Sequence, residues 1–413
     1  MNVICVRTIF VPLVLATLAC SEASAPKTAP APITSLPRQL TAAEQKLISG
    51  SNTFAFDLMR QINKAERDSN VFVSPLSASM ALGMTSTGAA GTTYDAFHNT
   101  LRLGDASRQE VKEGYKSLIA LLTGLDASTD VRIANSIWYE KKFPFNDTFL
   151  SDTKSFFNAQ VQPLDFKQPS AVDAINAWVS DATVKKIPKI LDSIDSAEVM
   201  FLINAIYFKG TWQQQFDKAQ TRDAPFFALD GTSGSNALMH RMGQMRVAQT
   251  ANLTAVDLYY GNSAFAMTLL LPKSSADING LTESLTGPSW KTLVDSFGER
   301  ETDLYVPRFK LEWGKVLNDQ LTALGLGLAF IRADFTPMSP RGTELVITKV
   351  IQKTFVDVNE EGTEAAAATS VGMGTTSLPS SIVVRLDRPF VFAIRERFSG
   401  TILFIGKIVK LPA

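Results

Sequence analysis

Cysteine is nearly missing from this chain: Cys5 and Cys20 are the only two among 413 residues. Nothing after residue 20 carries a thiol, which excludes a disulfide framework, thiolate metal ligation and a cysteine nucleophile from the body of the protein. Histidine is as scarce, with His98 and His240 alone. Each stands in a polar stretch without a nucleophile elbow beside it, so a Ser–His–Asp hydrolase is not expected. No Walker loop, dinucleotide fingerprint or HExxH run occurs, and neither a cofactor nor a metal site is expected. Net charge is missing too, with 40 basic and 40 acidic residues. Arg102, Arg108, Lys112 and Lys116 are interspersed with acidic residues, so a nucleic acid is not an expected partner, and no polyanion patch is visible in the sequence, although folding could assemble one. These exclusions point to a protein that binds rather than one that turns over.

At the N-terminus Arg7 precedes the apolar run "TIFVPLVLATLAC", which is short for a bilayer span and reads as a signal peptide over residues 1–19. Ala19-Cys20 resembles the end of a bacterial lipoprotein signal, with Thr17 where Leu is usual and Leu18 where a small residue is usual. That resemblance implies lipidation of Cys20, a lipid anchor at the cell envelope and a bacterial source. Plain secretion is the alternative. Residues 20–40, rich in Pro, Ala and Ser without periodicity, read as a disordered tether.

From Thr41 the chain is well patterned. "TAAE" fits a capping box, and Phe54, Leu58 and Ile62 recur at helical spacing, so a first helix closes near Ala65. Val71–Val73 reads as a short strand, Ser74 as a helix N-cap, Pro75 as the first helical position and Gly88 as a stop. "VRIANSIWYE" alternates like a strand, and the apolar run "VMFLINAIYFKGTW" reads as a strand buried on both faces. "AFAMTLLLPK" and "TDLYVPRFKLEW" are further strands. "TKVIQKTFVDVNEEG" is a long strand that runs straight on into "TEAAAATSVGMGTTSLPSS", and the C-terminal end is a hairpin around Ser399-Gly400. Helices dominate the first third and strands the rest, with no repeat or interior linker. One large α+β domain over residues 41–413 is expected.

The stretch after Gly362 is the odd one. Four alanines form neither a good strand nor, over so short a length, a stable helix. Here the residues resemble a known family. "NVFVSPLSASMALGMTSTGAAGTT", "LINAIYFKGTWQQQF", "MTLLLPK", "YVPRFK", "VNEEGTEAAAAT" and "RPFVFAIRERFSGTILFIGKIV" are similar, in the same order, to the sequence blocks of the serpins. The resemblance runs from about Thr41 to the C-terminus. It implies helices packed around three β-sheets, with an exposed reactive-centre loop at about residues 360–384. It also implies a suicide inhibitor of serine proteases. The loop is cut, the protease is acylated, and the loop enters the main sheet as a new strand. The partner implied is a target serine protease in covalent complex; a monomer is expected, and no enzyme. The alternative is a non-inhibitory serpin acting as a surface binding or structural protein.

The resemblance also implies site residues. Glu360, Glu361, Gly362, Thr363, Glu364, Ala365, Ala366, Ala367, Ala368 and Thr369 form the hinge. At period two, Thr363, Ala365, Ala367, Thr369 and Val371 face one way, without charge, and Thr363 is expected to be exposed until the loop is cut. About fifteen inserting residues at ~3.3 Å each would carry a protease on the order of 50 Å. Ser74, Ser77 and Asn204 match the shutter, where Gln352 stands in place of the usual His and needs buried partners for its amide. Trp212 matches the breach, where Arg308 and Glu360 match a pair that fastens the hinge strand. At a surface such a pair contributes about 0–1 kcal/mol. Counted from Gly362, the scissile bond is Thr376–Ser377; counted back from Pro389 it lies nearer Leu378. No Lys or Arg lies between Glu361 and Val384, so a trypsin-like target lacks its bait. Thr376 suits an elastase-like or subtilisin-like protease, and Met373 and Leu378 leave a chymotrypsin-like one open.

Overall fold

The computed structural model describes residues 31–364 and 381–411. The expected signal peptide, Cys20, Ala365–Thr369 and the Thr376–Ser377 bond lie outside them. From Pro32 onward the described residues cluster as one compact unit, which begins earlier than residue 41. Ile33 donates its N–H to the Asn262 carbonyl at 2.6 Å, and Arg38 pairs with Glu44 at 2.6 Å, so this end of the expected tether packs onto the body.

The first helix, α1 (Ala42–Ala65), starts at the expected capping box. The Thr41 hydroxyl accepts from Glu44 N–H at 3.2 Å, and the Glu44 carboxylate accepts from Thr41 N–H at 2.7 Å. After β1 (Val71–Val73), Ser74 caps α2 (Pro75–Ser86), which is buried on nearly every side. Then come α3 (Gly91–Thr100), α4 (Arg108–Gly124), β2 (Thr129–Glu140), α5 (Asp147–Phe157), β3 (Ala159–Leu164), α6 (Ser170–Ala182) and β4 (Met200–Thr211). The second half is mostly strands: β5 (Arg222–Phe227), β6 (Ser233–Gln249), β7 (Leu253–Tyr260), β8 (Phe265–Pro272), β9 (Gly298–Pro307) and β10 (Phe309–Val316). Last are β11 (Ile351–Val358), β12 (Gly362–Thr363), β13 (Ile382–Arg385), β14 (Phe390–Glu396) and β15 (Ile402–Ile408).

Hydrogen bonding among the described residues gathers the strands into two sheets rather than three. The larger has nine strands, β1-β15-β14-β8-β7-β6-β9-β13, with β5 on β6. Two of the expected sheets merge because β6 is 17 residues long. Its Leu238–Val247 stretch pairs with β9, and its Arg246–Gln249 end pairs with β7. The stretch "TDLYVPRFKLEW" breaks at Arg308, where the chain leaves β9 in this sheet and enters β10 in the other.

The smaller sheet runs β10-β11-β12-β4-β2-β3. Even-numbered residues of β4 and β11, such as Phe208 and Val356, face the main core; there Phe72 stacks on Phe392 at 5.4 Å and on Phe404 at 5.2 Å. Odd-numbered Phe201 and Ile203 face a second core formed with Ile175 and Val179 of α6. Both faces are covered, which is why the β4 segment reads as a near-continuous apolar run.

Candidate functional site

The middle strand of the smaller sheet, β12, is only 2 residues long, although its neighbours β4 and β11 have 12 and 8. Its sequence neighbourhood explains how it gets there. The chain does not run straight from β11 into the alanine segment, as the sequence suggested. It reverses at Asn359–Glu361. The Asn359 side-chain oxygen accepts from Glu361 N–H at 3.0 Å and Gly362 N–H at 3.3 Å, the local turn chemistry of Asn. Gly362 has φ +154°, and a Cβ there would lie 2.1 Å from the Gly210 carbonyl oxygen, so only glycine fits. Thr363 then pairs with Val358 on one side and Gly210 on the other.

Several groups hold this reversal. Trp212 donates from its indole to the Asn359 carbonyl at 2.9 Å and from its backbone to the Glu361 carbonyl at 2.8 Å. Its ring stacks on Tyr260 at 4.4 Å. Arg308 donates to both Glu360 oxygens at 2.8 Å, and Thr221 adds a 2.5 Å bond to the same carboxylate. Arg308 is half-exposed, but only 2% of the Glu360 side chain is accessible. The pair is therefore not the surface ion pair expected from sequence. Burial pushes the Glu360 carboxyl up, but the bonds from Arg308 and Thr221 outweigh it and hold the group below the usual carboxylate range. Lys218 pairs with Glu361.

Thr363 is 1% exposed and its hydroxyl meets the Tyr260 hydroxyl at 2.6 Å. The expectation of an exposed Thr363 in the uncut protein is therefore corrected. Burial pushes the Tyr260 hydroxyl far up, so it stays neutral and able to donate. Glu364 follows with φ +56°, and its carboxylate lies 3.3 Å from Lys186. Burial pushes this carboxyl above its usual range against Lys186 and Tyr207, and Asp357 adds to the rise.

Below β12 the sheet is open. A cavity of about 410 Å³ separates β4 from β11. Glu198–Asn204 line one wall, Leu345–Gln352 the other, and Ser77, Ala81 and Thr85 of α2 the floor. At its upper end the four expected shutter residues come together. The Gln352 amide accepts from Ser74 N–H at 3.1 Å and donates to the Ser74 carbonyl at 2.7 Å, satisfying it without the histidine. The Ser74 hydroxyl accepts from Ser77 N–H and donates to the Leu403 carbonyl at 2.8 Å, so it caps α2 and ties it to β15 together. The Ser77 hydroxyl donates to the Asn204 carbonyl at 3.2 Å, and Asn204 Nδ2 donates to Asn135 at 2.6 Å. Asn204 Oδ1 is buried without a hydrogen-bond partner among the described residues.

Among the described residues His98 hydrogen-bonds the Ala106 carbonyl, and His240 hydrogen-bonds Gln220 and Asp303, so neither pairs with a serine or threonine hydroxyl there. Tyr260, Asn359, Thr221, Lys186 and Lys218 were not singled out from sequence. Only Asn359, three residues before Gly362, carries a local signal of its role.

Comparison with known proteins agrees with this architecture. The family model described as serpin (serine protease inhibitor) matches residues 49–411. The chain is 36% identical over 377 residues to the leukocyte elastase inhibitor of Sus scrofa, covering 87% of this chain and 98% of that one. It is 32% identical to human serpin B11, covering 86% and 97%. Among solved structures, human thyroxine-binding globulin superposes with a TM-score of 0.82 at 28% identity, over 90% of this chain and 100% of that one. The thermophilic serpin tengpin in its native state superposes with a TM-score of 0.80 at 29% identity, over 93% and 98%. The chain belongs to the serpin family. Its fold is the α+β serpin fold, and the family is described as one of serine protease inhibitors.

Proposed function

We propose that the protein is an inhibitory serpin, a suicide substrate of elastase-like or subtilisin-like serine proteases. One observation carries the reading: a six-stranded sheet whose central strand stops after Thr363, with an open slot beneath it. Backbone edges of β4 and β11 that face the slot gain partners only if a strand enters. Each backbone hydrogen bond so formed contributes about 0.5–1.5 kcal/mol. The native sheet is thus short of bonds that the chain itself can supply.

In this reading the protease serine attacks the Thr376 carbonyl carbon, the bond to Ser377 breaks, and the Ser377 amine leaves with the proton. The acyl-enzyme then has two fates, hydrolysis by water or removal by strand entry. Extending the register of β12 sets Thr369 opposite both Asn204 and Gln352, because Thr363 stands opposite Gly210 and Val358. Ala365 and Ala367 share the core-facing side with Thr363 and bring no charge to it. The similarity to leukocyte elastase inhibitors and the absence of Lys and Arg in the bait support the target class.

The test is a denaturing gel after mixing with elastase-, subtilisin-, chymotrypsin- and trypsin-like proteases. A covalent complex that survives boiling is expected with the first two, and the released C-terminal peptide should begin at Ser377. Degradation without complex by all of them refutes the reading. We also propose export from a bacterial cell with Cys20 lipidated, on the apolar run after Arg7. A lipid adduct on a mature N-terminal Cys20 peptide is expected, and an unmodified N-terminus elsewhere contradicts it.

A further inference from the structure

Strands β6, β9 and β13 lie side by side, and their register selects which side chains share the outer face. His240 stands opposite Tyr305, which stands opposite Arg385; Met242 stands opposite Asp303, which stands opposite Val383. The alternating residues Leu304, Val306 and Val384 are buried. On the outer face Met242 is 46% exposed and Val383 63%. A single exposed apolar side chain needs no explanation. Here two flank the same aspartate, and one of them sits on a terminal strand, where charge or proline is the usual protection.

The aromatic beside them is held rigid. Tyr305 stacks on His240 at 4.6 Å, and the Arg385 guanidinium lies 4.8 Å from its ring centre. His240 is braced by Gln220 at 2.9 Å and Asp303 at 2.7 Å. Arg385 is also tied to Asp387 at 3.2 Å. With these charges engaged, the groups left to meet a partner are a methionine, a valine and a pre-ordered tyrosine, side chains of the kind enriched at interface cores.

We propose that this face, centred on Met242, Tyr305 and Val383, docks the body of the target protease beside its substrate cleft. The proposal rests on the inhibitory reading. Chain length commits the occupant. Ser377 and Ile382 are only five positions apart, a reach on the order of 20 Å. A protease domain of roughly 230 residues has a radius of gyration of about 17 Å, so one seated on the Thr376–Ser377 bond overhangs β13. A specific interface of ordinary size buries about 800 Å² per partner, which calls for surface beyond the bait segment. The partner surface that fits is an apolar rim, and the association should depend weakly on salt.

The experiment compares wild type with Met242→Glu/Val383→Glu against an elastase-like protease. It reads the second-order rate of inhibition, the ratio of covalent complex to cleaved chain, the rate of loop cutting and the melting temperature. A tenfold or larger fall in rate is expected, with ratio and melting temperature unchanged. Val383→Thr, nearly isosteric, is the second variant should the charges unsettle β13, and a smaller fall in rate is expected from it. An unchanged rate overturns the proposal. A changed ratio at unchanged rate also overturns it, by assigning the face to strand insertion. A wild-type dimer that the substitutions dissolve overturns it by making a second copy the occupant. If wild type forms no covalent complex, the inhibitory reading fails separately. Docking is then read from the rate of loop cutting, which should fall tenfold; an unchanged cutting rate contradicts it.

Discussion

Tyr260 and Thr363 meet hydroxyl to hydroxyl at 2.6 Å, across 103 residues of sequence, inside the top of the gapped sheet. The bond seats Thr363 in the sheet of the uncut chain. In the proposed mechanism strand entry would begin from a formed first pair, Thr363 with Gly210 and Val358, rather than from a free loop.

Tyr260→Phe removes one hydroxyl and leaves Thr363 buried with an unmet partner. A lost buried hydrogen bond of this kind costs about 1–3 kcal/mol. Faster hydrogen exchange at the amides of Gly362–Glu364 is expected, with the rest of the smaller sheet unchanged. Unaltered exchange there would show that the bond does not hold the hinge.

Thr363→Arg should act on the uncut protein as well as on inhibition. A guanidinium at this 1% exposed position lacks a partner, and burying it costs several kcal/mol. The two-residue β12 should leave the sheet instead, and the slower entry should let hydrolysis of the acyl-enzyme win. The ratio of covalent complex to cleaved chain on a gel should fall strongly. An unchanged ratio would mean that Thr363 need not be buried during inhibition.

Thr369→Val tests the register. In the inserted strand Thr369 should reach the row of Asn204 and Gln352, where Asn204 Oδ1 lacks a donor among the described residues. The valine keeps the volume and removes the donor, so the cleaved form should lose about 1–3 kcal/mol of stability while the uncut form keeps its own. Equal stability of the two cleaved forms would place the strand in another register.

Glu364 should give the hinge a pH dependence. Its carboxyl is raised by burial in the seated hinge and returns to its usual range when the hinge leaves. A group raised in this way stabilises the seated state fully below its ordinary value, and that contribution is lost as pH climbs through the raised value. Glu360 is shifted the other way, so its contribution is lost only as pH falls below the ordinary carboxylate range. Corrected for intrinsic rates, the Gly362–Glu364 amides should be better protected at about pH 5 than at pH 7. The difference should vanish in Glu364→Gln; a difference that persists there would belong to another group.

Much of this site was legible in the sequence because its signals are local. The Thr41–Glu44 capping box, the Ser74 cap before Pro75 and the run of small residues after Gly362 each act within a few positions. Ser74, Ser77, Asn204 and Gln352, singled out through the resemblance of long blocks, lie close together in the fold. What escaped depends on partners far along the chain. Nothing near Thr363 announces Tyr260, and the strand pattern of Ile351–Val358 gives no hint of the reversal except Asn359 itself. The Arg308–Glu360 pair was expected, but nothing local announces that Thr221 joins it or that the fold buries the Glu360 carboxylate. The merging of two sheets through β6 needed strand pairing that periodicity alone does not supply.

The central claim is that the native sheet is incomplete and that the chain's own loop completes it. A single clean cut near Thr376, followed by thermal melts of cut and uncut protein at matched scan rates, tests it most directly, since under this account the uncut state would be held kinetically. A higher melting temperature after the cut is expected. An unchanged or lower one would contradict strand insertion.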